Sequence, residues 1–256
     1  MKTKLNVKNL PLLTAGMGLL VLLVRAALLL LGEDKKDLLI PTHPLNILAW
    51  VLTACAAVLI TAAVLGLDGS PKYSDNFAPS TAAAIGCFAM AGGIAVAVLL
   101  NWSTWSRLEL IRNIFGLLAV PALVMLGLHR WKGKQPFFLL HGTVCLYLIL
   151  YAVSHYQLWS SRPQMQHWFF DMAGVICLTL FAYFQTAFDV SMGSRRKQLA
   201  AGALAGFFCL AALAGGADRM LYLGGAVWAL TNLCSLTPAP RRRPNPITET
   251  TREGTE

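Results

Sequence analysis

Charge is scarce in this chain. Asp, Glu, Lys and Arg make up 13% of its 256 residues, about half the share in soluble globular domains, which excludes a protein kept in solution by a charged surface. Paired cysteines are lacking too. Cys55, Cys87, Cys145, Cys177, Cys209 and Cys234 stand singly, so no disulfide framework or structural zinc site is indicated and they read as small packing residues. Catalytic signatures are also missing. There is no HExxH, no GxSxG, no Walker loop and no dinucleotide glycine motif, so no catalytic residue and no metal ligand is assigned. "SRPQMQHWFFD" keeps an HxxxD spacing between His167 and Asp171, yet the companion elements of a membrane phosphatase are absent.

Apolar length is what the chain has in abundance. It is 56% hydrophobic with a mean hydropathy of +0.59, and about 20 apolar residues suffice to cross a bilayer core. Eight candidate spans follow: Leu10 to Leu31, Asn46 to Leu67, Ser80 to Trp102, Leu108 to His129, Pro136 to Trp159, Trp168 to Val190, Gln198 to Gly216 and Arg219 to Leu236. The sequence thus predicts an all-α, polytopic integral membrane helical bundle. The last two spans rest on "GGADR" as a turn, and a seven-span reading stays open. Residues 1–236 form one multi-span domain. The proline-rich, charged stretch 237–256 is expected to be a disordered cytoplasmic tail. The first apolar run is too long for a signal peptide and reads as a retained span.

Lysine and arginine set the orientation. With the N-terminus inside, fourteen fall on the inner side, five on the outer side and two, Arg25 and Arg112, within spans. Eight spans in the cell membrane with both termini cytoplasmic satisfy that bias. The net charge of +9 is then topology, and no nucleic-acid partner is implied. Trp102, Trp105, Trp131, Trp159 and Trp168 fall near span ends, as an aromatic belt requires.

Ionisable groups inside spans are costly, so they are the functional candidates. On the fifth span His141 and His155 share a face, and on the sixth Asp171, Gln185 and Asp189 form a stripe. A short loop joins the two spans, making them antiparallel neighbours. Equal distance from that loop places His155 level with Asp171 and His141 level with Gln185, with Asp189 one turn further in. Leu148 and Leu178 stand halfway. The expectation is an interrupted polar seam: two clusters about 21 Å apart at 1.5 Å per residue, separated by a leucine level. Arg25, on the face of Thr14 and Gly18, shares the outer half with Glu109, Arg112, Asp171 and Asp218, a candidate anion or counter-ion site.

Three functions compete on this pattern. The leading one is a small permease or transport component whose seam carries a small solute or proton; its rival is a non-catalytic membrane scaffold or regulatory subunit, for which the seam is polar glue. A haem-binding redox or lipid-modifying protein is third. Haem on His141 and His155 needs axial partners such as His129 and His167, which lie beside loops, so no cofactor is assigned. Gly86 and Gly93, and Gly202 and Gly206 in "GALAG", make small-residue faces for close packing or for a homo- or hetero-oligomer. Pro121 is expected to kink the fourth span.

Overall fold

The computed structural model describes residues 9–31, 43–65, 70–100, 102, 107–160, 165–215 and 218–236. Residues 1–8, the whole 32–42 connection and the 237–256 stretch lie outside the described residues. Among the described residues the chain is helical: α1 (Leu10–Leu31), α2 (Pro44–Val64), α3 (Tyr73–Asn76), α4 (Thr81–Leu100), α5 (Arg107–Lys132), α6 (Phe138–Ser160), α7 (Met165–Asp189), α8 (Arg195–Ala212) and α9 (Arg219–Cys234). Six of these, α1, α2 and α4 to α7, are long and apolar enough to cross a membrane. Their outward faces carry large apolar side chains such as Leu12, Leu23, Leu30, Leu99 and Leu117, a surface that lipid tolerates and water does not.

Local chemistry places the helix ends. Pro44 opens α2, where a missing N–H costs nothing, and the ring Nδ1 of His43 caps it by accepting from the Leu45 amide at 3.3 Å. Gly133 closes α5 at φ 65, a left-handed turn that a side chain would strain. α5 continues as one helix through Pro121.

The chain between Leu199 and Leu236 is two helices, divided at the glycine-rich turn, and these two form the centre. α8 packs against α1, α2, α7 and α9, and α9 against α1, α4, α7 and α8. Most of α8 is buried, from Arg195 to Ala212. Glycine permits the tightest contact, between α4 and α9. A Cβ on Gly93 would stand 2.5 Å from the Met220 carbonyl oxygen, and one on Gly224 2.7 Å from that of Ala89. Gly202 and Gly206 face Phe181, Leu233 and Leu230, so all these small-residue faces are covered by the chain's own helices.

One element was not anticipated. Between α2 and α4, α3 and its flanks fold across one end of the bundle. Phe77 forms an isolated antiparallel bridge with Leu236 and meets Phe188 edge-on at 5.2 Å. Gly193 donates to the Pro71 carbonyl at 3.3 Å.

Candidate functional site

At 16 residues, α9 is about 24 Å long, and a polar cluster closes around each of its ends. The first gathers side chains from α1, α5, α6, α7 and α9. Arg25 is 4% exposed, does not reach the surface, and donates through one terminal nitrogen to the Ala211 carbonyl at 2.6 Å. That carbonyl lies in the last turn of α8, where backbone acceptors lack helical partners and the dipole favours a cation. The guanidinium also lies 4.4 Å above the Phe170 ring and within the field of Asp171.

Asp171 is 1% exposed, and neither carboxylate oxygen has a hydrogen-bond partner among the described residues. Only its backbone is engaged, with its carbonyl accepting from the Tyr222 hydroxyl at 3.3 Å. Asp218 stands at the N-cap of α9 without bonding the helix amides. Its carboxylate instead accepts from the Tyr151 hydroxyl at 2.5 Å and lies 3.4 Å from His155 Nε2. His155 stacks on Tyr151 at 3.9 Å, and its Nδ1 approaches the Tyr151 carbonyl at 3.1 Å. Both ring nitrogens therefore face acceptors, which a ring with a single N–H can satisfy only one at a time. Arg112 completes the group, donating to Asn113 Oδ1 at 3.2 and 3.3 Å and to Ser154 Oγ at 3.2 Å. Glu109 stands half-buried one turn before it, in the first turn of α5.

The second cluster lies at the opposite end. His141 Nδ1 meets Asp189 Oδ2 at 2.5 Å, with both side chains buried. Gln185 donates to Asn232 Oδ1 at 3.2 Å, and Asn232 donates to the Trp228 carbonyl at 2.9 Å. Arg130 donates to Ser235 Oγ at 2.7 Å and to the Tyr73 hydroxyl at 3.4 Å, with its guanidinium 4.5 Å over Phe77. Between the clusters Val144, Leu148, Val175 and Leu178 are wholly buried, and Phe181 meets Trp228 edge-on at 4.9 Å. The middle is packed with apolar side chains.

The structure places His155 and Asp171 toward one end and His141, Gln185 and Asp189 toward the other, with Leu148 and Leu178 buried between. His155 pairs with Asp218 rather than Asp171, and His141 pairs with Asp189, the residue expected one turn further in. Height matching within the α6–α7 hairpin took no account of α9, which offers Asp218 to His155 and Asn232 to Gln185. Asp171 is left toward Arg25. Sequence reasoning missed Tyr73, Arg130, Tyr151, Tyr222 and Asn232. Of these Asn232 carried a signal, an amide within an apolar run; the tyrosines resembled ordinary interfacial residues. Of the other histidines, His43 caps α2 and His129 Nδ1 lies 2.8 Å from the Met125 carbonyl, while the His167 side chain lies outside the described residues.

No protein-family model, no curated protein and no solved structure matches the chain.

Proposed function

We propose that the chain is an integral membrane protein that crosses the cell membrane eight times, with both ends cytoplasmic, and works as a small transport component. In this reading α8 and α9 are the two inner crossings. They need not meet the hydropathy of a lipid-facing helix because neighbouring helices cover them. The cluster of Arg25, Arg112, His155, Asp171 and Asp218 is the outer site, and His141, Gln185 and Asp189 mark the inner one. The packed leucine level is the closed barrier between them.

The observation that carries the reading is Asp171. Polar glue would satisfy its groups, whereas this carboxylate is withdrawn from solvent with both oxygens unbonded. Such an arrangement costs stability, and costs of that kind concentrate where a group must bind something else. A ligand bearing a donor, or a proton, would complete it.

The test combines stability with access. Asp171→Asn keeps the shape and removes the buried charge; Arg25 keeps the Ala211 carbonyl and the Phe170 ring, so the relief of desolvation should offset the lost attraction and thermal unfolding in detergent should stay level or rise. A clear loss of stability would support the scaffold reading instead. In a background cleared of native cysteines, Asp171→Cys and His155→Cys should react with a membrane-impermeant thiol reagent from outside. Both staying inert in intact cells would refute an outer site.

A further inference from the structure

Resting on the transport reading, the inner end identifies what passes there. Tyr73, Phe77, Arg130, His141, Gln185, Asp189 and Asn232 line a small cavity of about 10 Å³, the space one water requires. Two of the buried atoms left without a partner belong to residues of that lining: Arg130 Nε, a donor, and Asp189 Oδ1, an acceptor. Their needs are complementary, and one water answers both by accepting from the first and donating to the second. The Tyr73 hydroxyl already accepts from Arg130, so its own hydrogen is available as a third contact. Burial pushes that phenol above its ordinary value, which keeps the hydrogen in place at neutral pH.

We infer that this cavity holds a single bound water bridging Arg130 and Asp189, and that through it the His141–Asp189 pair exchanges a proton with the cytoplasmic face. The step balances simply. Uptake of one proton takes the carboxylate and neutral imidazole from a combined charge of −1 to zero, and release returns it. The other charged or titratable groups facing the pair are Arg130 from α5 and Tyr73 from α3, with Cys87 of α4 and Arg195 of α8 beyond them; Arg195 is held on Asn76 at 3.1 Å. A solute of several heavy atoms has no room there. Phe77, clamped by Leu236, Phe188 and Arg130, forms one wall of the cavity.

The full-length protein in liposomes loaded with a pH-sensitive dye, with the membrane potential clamped, tests this after a pH step. Because the transport cycle opens the leucine barrier, lumenal pH should relax faster than in protein-free vesicles. Asp189→Asn and His141→Gln should return it to the protein-free rate, and Phe77→Ala should accelerate it. Folded Asp189→Asn and His141→Gln proteins relaxing at the parent rate would overturn the inference. So would parent vesicles no faster than protein-free ones; if the Asp171→Cys protein in the same liposomes is still labelled by the impermeant reagent, the outer site stands and only the proton assignment falls. Should both pair variants fail to accumulate, Phe77→Ala decides, since an unchanged rate excludes the port.

Discussion

A carboxylate that is 1% exposed and unbonded at both oxygens, as Asp171 is, is held by the electric field around it. Arg25 is the favourable part of that field, and Asp218 opposes it. Because the two partners sit within a shared network, their contributions should not add. In a double-mutant cycle of Arg25→Leu and Asp171→Leu, read by thermal unfolding in detergent, the coupling should be roughly 0.5–3 kcal/mol. Additivity within a few tenths would mean that Arg25 serves only the α8 carbonyl and the Phe170 ring. The cluster's other members are differently placed, since Tyr151 and Asp218 satisfy each other directly.

Helices in lipid associate through close packing rather than through exclusion of water, which makes the α4–α9 contact the element on which the centre depends. Gly93 and Gly224 let the backbones touch. Gly93→Val places carbon where the Met220 carbonyl stands, and backbone cannot yield as a side chain tip can; a loss of about 1–3 kcal/mol follows. Its neighbour is the control. A Cβ on Gly92 meets nothing within 4 Å, so Gly92→Ala should gain roughly 0.5–1 kcal/mol from helix propensity. Equal effects of the two substitutions on unfolding would show that α9 does not pack on α4 at this height.

For the whole molecule the decisive arrangement is alternation. Arg25, Arg112, His155, Asp171 and Asp218 gather at one end, and Tyr73, Arg130, His141, Asp189 and Ser235 at the other. Consecutive long helices must therefore run in opposite directions. In the topology proposed above, which rests on lysine and arginine counted by side, the second end faces the cytoplasm. In intact cells an impermeant maleimide should label Ser160→Cys and spare Lys134→Cys until the membrane is opened, both in a cysteine-free background. The reverse pattern would invert the topology and exchange the inner and outer sites.

The sequence by itself determined the material of this protein: helices apolar on their outward faces, a turn at the glycines before Asp218, and polar residues kept to two levels with leucines between. Those features follow from length, hydropathy and the 3.6-residue period, which are local. The face of Thr14, Gly18 and Arg25 was legible for the same reason, and all three are buried. Which residue meets which was decided by tertiary structure. His155 finds Asp218, Gln185 finds Asn232, and Tyr73 is carried over Arg130 because α9 and the α3 segment arrive from distant parts of the chain. The cavity between Arg130 and Asp189 belongs to that level as well, since no single helix contains both of its unmatched atoms.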